Sequence, residues 1–316
     1  MEQERRNMRM GILVILCALM LQLASDALVQ VFADPRVASF FVFMETGRWV
    51  RFEVPPPPET EPTTVATEPP RKAVSFNIQE AELVEISNFT HYEPDIGALL
   101  TSPLSWDLTE GGPAVLIVHT HATESYTGTP GYRTEDENYN MLRVGQEIEK
   151  ILKENGIEVI HDTTLHDEPS YNNAYIYARE TIEARLEEYP SIRVVLDIHR
   201  DALELSEAVQ LSTSATVDGE NSAQLMLVMG TDAGNRYHPD WQGNLAVGVK
   251  LQVLLERNYP GICRRMQLRT ERFNQDLAPG GMLVEVGAAG DTLEEALVAA
   301  RAFARCLVEL SQGTAD

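Results

Sequence analysis

The chain has 316 residues, with 25 Lys+Arg against 48 Asp+Glu and a formal net charge of −23. Such an acidic balance argues against binding nucleic acid or an anionic membrane surface through a basic face. Its length and 44% hydrophobic content suffice for one sizeable globular domain, alone or with a small satellite, but not for several.

Residues 1–9, which include Arg5, Arg6 and Arg9, read as a cytoplasmic tail before the apolar run 10–32, "MGILVILCALMLQLASDALVQVF". Arginines ahead of roughly 20 apolar residues are the pattern of a transmembrane signal-anchor that exports the rest of the chain. The expected location is therefore the cell membrane, single-pass, with the remaining domain extracytoplasmic. Gln22, Ser25, Asp26 and Gln30 make the second half of the run amphipathic, and Val31 and Ala33 would also suit a signal peptide cleaved ahead of Asp34. After a juxtamembrane stretch, 33–53, the Pro/Thr/Glu-rich residues 54–72, "VPPPPETEPTTVATEPPRK", read as an extended linker that cannot pack a core. Residues 73–110 carry the short strand candidates "AVSFNI" and "AELVEISNFT" and read as a leading subdomain or edge strands.

From 111 to 312 the pattern alternates, as a single catalytic domain would. Strand "AVLIVH" precedes the helical "NYNMLRVGQEIEKILKENG", where Met141, Val144, Ile148 and Ile151 recur at helical spacing and Gly156 marks the stop. Strand "IEVIHD" follows, then helix "AYIYARETIEARLEEYP", strand "IRVVLDIH", a hairpin candidate at "VDGE", strand "LMLVMG" and helix "NLAVGVKLQVLLERN". Strand "MLVEVG" and a helix opened by a Thr292/Glu295 capping box close the chain. This order predicts an α/β fold: a mainly parallel, mixed sheet with helices on both faces. Cys263 and Cys306 read as buried thiols or, in an oxidising compartment, a pair, and neither has metal-ligand spacing to another Cys.

In open α/β sheets functional residues gather beyond the carboxyl ends of strands. Three strands here end in metal-binding or proton-carrying residues: His119, His121 and Glu124 in "VLIVHTHATE", His199 in "VVLDIHRD", and Glu285 in "MLVEVG". A catalytic zinc commonly takes two His and one carboxylate, with a separate carboxylate as base. His121-Ala-Thr-Glu124 has the His-x-x-Glu spacing of zinc carboxypeptidases, whereas His119 reads equally as a ligand or as a hydrogen-bonded neighbour. Asp201 reads as an orienting partner of an imidazole or as a solvated loop acid. Glu285, in an apolar run, needs a functional or ion-paired role to justify its burial. His91, His161, His166 and His238 read as structural. "HRD" at 199–201 lacks the company a kinase catalytic loop needs, and no Gly-x-Ser-x-Gly elbow is present.

Together, "VLIVHTHATESY", "NMLRVGQEI", "GIEVIHDTTLHDEPSYNNAY", "YPSIRVVLDIHRDA" and "FNQDLAPGGMLVEVGAAGDTLEEAL" closely resemble the sporulation stage II protein P family over residues 110–312. The resemblance implies a phosphorylase/hydrolase-like amidase fold and a zinc-dependent N-acetylmuramoyl-L-alanine amidase that hydrolyses peptidoglycan, with endopeptidase activity besides. It implies Zn2+ on His121 or His119 and on His199, and Glu285 as the catalytic acid/base. For the carboxylate ligand it leaves Glu124 against Asp136, which stands four residues before Asn140. It implies as partners peptidoglycan, the cell membrane, a sporulation lytic transglycosylase and engulfment membrane proteins. A stem-peptide-only metallopeptidase and a catalytically silent wall-binding protein are the alternatives.

Overall fold

The computed structural model describes residues 73–168, 170–206 and 209–314. The expected tail, apolar segment, juxtamembrane stretch and linker, residues 1–72, lie outside them. Among the described residues no helix is long and apolar enough to cross a membrane.

Eleven strands and five α-helices build this part. The strands are β1 (Ile86–Asn88), β2 (Val115–Val118), β3 (Val159–His161), β4 (Val194–Asp201), β5 (Glu204–Ser206), β6 (Val209–Gln210), β7 (Ala215–Val217), β8 (Glu220–Ser222), β9 (Leu225–Gly230), β10 (Met266–Arg269) and β11 (Gly280–Ala288). The helices are α1 (Ile96–Thr101), α2 (Met141–Glu154), α3 (Ala174–Glu188), α4 (Trp241–Asn258) and α5 (Leu293–Glu309). Seven strands form one sheet in the order β1-β10-β9-β11-β4-β2-β3, and β5-β6 and β7-β8 are separate ribbons. All pairings in the large sheet are parallel except β11 with β9. β2, β3, β4 and β11 therefore point one way, and their carboxyl ends meet at a single end of the sheet.

The twofold alternation of strand side chains divides the core. Val115 and Ile117 of β2, Leu196 and Ile198 of β4, and Met282, Val284 and Val286 of β11 face the main cluster shared with α2, α4 and α5. Leu116, Val118 and Val195 face the other way, under Ile182 and Leu186 of α3. Beyond α3 only a small patch of Met226, Val228 and Leu283 remains on that face, with Phe273 against it. Helices thus lie on both faces, three against one, and on the α3 side a groove opens between α3 and the loop 270–274, while Met226, Val228 and Leu283 themselves stay buried.

Local signals hold the helices in place. Asn140 caps α2 through Leu142 N at 3.0 Å, and α2 turns Met141, Val144, Ile148 and Leu152 inward. Gly156, at φ +76°, ends it in the left-handed region that glycine tolerates. Thr292 and Glu295 form the expected capping box on α5. The hairpin at Asp218-Gly219 joins β7 and β8 with both turn residues at positive φ.

Residues 73–110 differ from the sequence reading. "AVSFNI" forms no strand: Val74 makes an isolated bridge with Thr314, and Asn77 caps a 3-10 helix over Ile78–Leu83. Only β1 is a strand, pairing with β10 at the edge of the main sheet. β10 itself was not expected, because "MQLR" is too short and mixed to stand out by periodicity. α1 is fastened to the body by Lys250 of α4, buried and donating to Leu99 O at 2.7 Å and Ser102 Oγ at 3.1 Å. Burial pulls that ammonium down to about 8.

The register of β11 against β4 shifts between Glu285 and Ala288. Gly287 sits in that irregularity at φ +74°, and a Cβ there would lie 2.8 Å from Asp291 Oδ2 and 2.9 Å from Ala223 Cβ. Asp291 is itself fixed by Ala288 N at 2.7 Å and by the Thr213 backbone and hydroxyl at 2.6 and 2.7 Å. Gly287→Ala is therefore expected to destabilise the protein by about 1–3 kcal/mol through overpacking and backbone strain. Denaturant unfolding would measure it, and a midpoint equal to the parent's would refute the account.

Candidate functional site

The chain leaves β2 at Val118 and turns sharply over 119–126, and Asp197 anchors this turn. Its Oδ1 accepts from Thr120 N at 2.8 Å and its Oδ2 from the Thr120 hydroxyl at 2.6 Å. A second carboxylate, Asp167, accepts from Thr123 N and from its hydroxyl at 2.5 Å. Tyr126 completes the fixing by donating to Val286 O on β11 at 2.7 Å. The turn is thereby held against β4 and β11, where the remaining site residues stand.

His199 pairs in register with Glu285, and Asp197 precedes it by two residues, so alternation puts all three on the groove face. His199 Nε2 lies 3.0 Å from Asp197 Oδ1, at ion-pair distance but off the line of a good hydrogen bond. Its Nδ1 lies 3.6 Å from Glu124 Oε2. The His121 ring meets His199 edge-on, with centroids 5.5 Å apart, and stacks on Tyr171 at 3.9 Å. Tyr175 lies parallel to His199 at 6.4 Å.

Charge differentiates the carboxylates. Burial would raise Glu124, but His199 and the Arg200 guanidinium hold it below its usual value. Asp197 is likewise opposed by burial, yet His199 and Thr120 bring it to about 2. Burial would lower His199, and the two carboxylates instead hold it well above its ordinary value, as an imidazolium. Glu285 goes the other way. It is only partly covered as a residue, but its Oε2 is sealed from solvent without a partner, and burial raises the carboxyl to about 8. Neighbouring carboxyls pushed apart in this way divide the labour of an acid/base from that of a fixed anion.

The structure places each expected residue. His121, Glu124, His199 and Glu285 are drawn together at one end of the sheet. Asp136 is exposed, and its carboxylate accepts from Asn138 N and Nδ2. His119 is wholly buried with both nitrogens engaged: Nδ1 donates to Ile198 O at 3.1 Å and Nε2 meets His161 Nε2 at 2.9 Å. His161 in turn contacts Glu149 on α2 at 3.0 Å. This chain fits only because Gly145 lacks a side chain, since a Cβ there would come within 2.6–2.7 Å of both imidazoles. His166 donates to His119 O at 2.9 Å and braces the same turn. Asp201 pairs with Arg264 at 2.6 Å and orients no imidazole.

Sequence reasoning missed Asp197, which does that orienting, although Asp-x-His within one strand was the signal for two side chains on one face. It also missed Arg200, which is buried, donates to Ser125 O at 2.9 Å and covers the Tyr132 ring at 4.2 Å. Tyr171 and Tyr175 gave no signal beyond their place in a loop and helix start.

The donor set suits a small dication. The 3.6 Å between His199 Nδ1 and Glu124 Oε2 is wide for a hydrogen bond and near the roughly 3.3–3.4 Å edge of a tetrahedron with bonds of about 2.0–2.1 Å. His121 Nδ1 is buried with no partner, and Asp197 stands behind His199 as a carboxylate commonly does behind a metal-bound imidazole. Among the described residues no three His, Cys, Asp or Glu side chains stand close enough together to hold a metal ion as they are placed.

The profile of the family described as "Stage II sporulation protein P (SpoIIP)" matches residues 40–308. The chain belongs to that family. It is 26% identical over 261 residues to the stage II sporulation protein P of Bacillus subtilis (strain 168), which covers 78% of this chain and 62% of that protein. The chain thus spans less than two thirds of the length of that curated relative. Among solved structures it is similar to the N-acetylmuramoyl-L-alanine amidase AmiC2 of Nostoc punctiforme, at TM-score 0.42 and 14% identity, covering 64% of this chain and 99% of that one. It is also similar to the CwlD amidase of Clostridioides difficile in complex with the GerS lipoprotein, at TM-score 0.41 and 16% identity, covering 63% and 97%.

Glu285 supplies a pH test on the family member itself. Its folded value of about 8 exceeds its ordinary 4.5, so between these values the native state holds a proton that the unfolded state has lost. The resulting stabilisation is complete below about pH 4.5 and is lost as pH rises through 8. In chelator, Glu285→Gln should melt progressively higher relative to the parent between about pH 5 and pH 9. A melting difference that stays constant across that range would rule out a protonated Glu285.

Proposed function

We propose that this chain is a membrane-anchored, zinc-dependent cell-wall hydrolase of amidase type, which cleaves the amide between N-acetylmuramic acid and L-alanine outside the cell membrane during sporulation. The single observation that carries the reading is the split pair of carboxyls around His199: Glu124 held as an anion beside two imidazoles, and Glu285 held as an acid with a free buried oxygen. Family membership and the exported-domain pattern of residues 1–32 support the rest.

His121, Glu124 and His199 would hold the metal, whose chemistry is to lower the pKa of a water and to polarise the amide carbonyl. Asp197 keeps the far nitrogen of His199 turned away, so that Nδ1 faces Glu124. Glu285 holds its proton to about pH 8 on its own, and a neighbouring positive charge brings it to the carboxylate a base requires. It then takes a proton from the attacking water as the new carbon–oxygen bond forms, and gives that proton to the nitrogen as the carbon–nitrogen bond breaks. The products are a lactyl carboxylic acid and a free L-alanine amino terminus. Tyr171 covers one face of His121 by stacking on it, and Tyr175 lies parallel to His199.

Purified murein digested with the zinc-loaded protein should yield muropeptides with new L-Ala amino termini, read by mass spectrometry. Products cut only within stem peptides would convert the reading to a peptidase, and no products would defeat it. Glu285→Gln should keep one zinc per chain while losing about 10²–10⁴-fold in rate, whereas His199→Ala should lose the metal.

Metal binding is also expected to release protons, because the His199 imidazolium must become neutral. Titration calorimetry at about pH 7 in buffers of different ionisation enthalpy should give about two protons released per zinc, one from His199 and one from Glu285 as it ionises beside the metal. Zero release would place the metal elsewhere.

A further inference from the structure

Tyr175, whose ring lies parallel to His199 at 6.4 Å, also lines a cavity of about 510 Å³ together with Ile176 and Phe273 and with Arg179, Arg236 and Arg272. Its walls are preset. Phe273 and Asn274 hold left-handed backbone, at φ +49° and +58°, which costs a non-glycine residue on the order of 1–3 kcal/mol. Asn274 Nδ2 donates to Tyr175 O at 2.8 Å, and Gln275 spans Gly230 N and Val228 O at 2.9 and 2.8 Å. Gly230 and Gly234 let the two flanking loops close on each other, since a Cβ would stand 2.5 Å from Glu271 O or 2.6 Å from Thr270 O. This strain and close packing hold an aromatic ring and a 58% exposed isoleucine at the surface of a hydrophilic chain.

The rim charges are not equivalent. Arg179 makes a forked pair with Asp276 at 3.0 and 3.1 Å, and Arg272 reaches the same carboxylate at 3.1 Å. Glu271, the one acid in the lining, pairs with Arg269 at 3.2 Å. Arg236 is exposed and engages no partner among the described residues. In a chain of net charge −23, an uncommitted arginine at the mouth of an apolar cavity is placed for a carboxylate that arrives from outside.

We infer that this cavity is a subsite for the peptide part of the substrate, with aliphatic segments against Ile176 and Phe273 and a free carboxylate on Arg236. The inference rests on the cell-wall reading above. Within that substrate the chemistry selects the peptide: the lactyl acid of the sugar is consumed in the scissile amide, whereas stem peptides carry free carboxylates. Arg236 thus acts as a specificity residue that favours acidic over amidated stems.

Binding separates this from a general role of the arginine. Full-length chain carrying Glu285→Gln, so that nothing is cut, would be titrated with a muropeptide bearing free carboxylates and with its amidated twin. Adding Arg236→Gln should weaken the acidic ligand on the order of tenfold, as expected for loss of a charge-assisted hydrogen bond, and leave the amidated one unchanged; Arg236→Lys should recover part of the loss. Equal losses for both ligands, or none for the acidic one, would overturn the subsite while murein digestion by the parent still upheld the amidase reading. If the parent neither digests murein nor binds either muropeptide, both fall.

Discussion

One buried carboxylate organises the functional end of this molecule. Asp197 is 4% exposed, and removing such a group from water is costly unless its lone pairs are filled. Thr120 fills them from the turn after β2, and His199 faces it from the same strand. A single anion thereby fixes the direction in which the chain leaves β2, and hence where His121 and Glu124 arrive. It also fixes which nitrogen of His199 remains for other work. Asp167 and His166 reinforce the same turn from the far side, but they act on its path rather than on the imidazole.

The sheet supplies the second constraint. β4 and β11 each send alternate residues into the large core and the others toward α3, so Asp197, His199 and Glu285 share a face because they stand at odd spacing from Ile198 and Val284. A slip of one residue would bury the charged set under α2 and α5 and expose the aliphatic one. The parallel run of β2, β4 and β11 brings their ends together, and the reversed β9 keeps the neighbouring face free of a crossover helix.

Much of this was legible in the residues. β2, β4, β9 and β11 are apolar runs long enough to name, and α2 and α5 announce themselves by periodicity and capping. The edge was less legible, because β1 and β10 are three and four residues long and half polar, and pairing rather than composition makes them strands. The ends of β2, β4 and β11 pointed to His121, Glu124, His199 and Glu285, all of which converge. They also pointed to His119, and here spacing could not help: only the packing of α2 at Gly145 reveals that this ring faces His161 and Glu149. Asp197 escaped notice for the opposite reason, since a lone acid inside "VVLDIH" reads as a break in a strand until its partner two residues on is placed beside it.

Charge balance then assigns the roles. Three carboxyls, Glu124, Asp197 and Glu285, share the end of the sheet with the Arg200 guanidinium and two imidazoles, of which His121 is brought down to about 4 by burial and by His199. Arg200 lies 3.8 Å from Glu124, and with His199 it keeps that group ionised. His199 in its charged form is shared between Asp197 and Glu124. His199 and Arg200 also act on Glu285, but they do not overcome its burial and the neighbouring Glu124 and Asp201, so it keeps its proton, with one oxygen sealed from solvent and unpartnered. Exchanging the His199 proton for a dication would raise the local charge by one unit, and Glu285 is the group left to answer by ionising. The same arrangement that leaves one acid unpaired would therefore make it the base once a metal is bound.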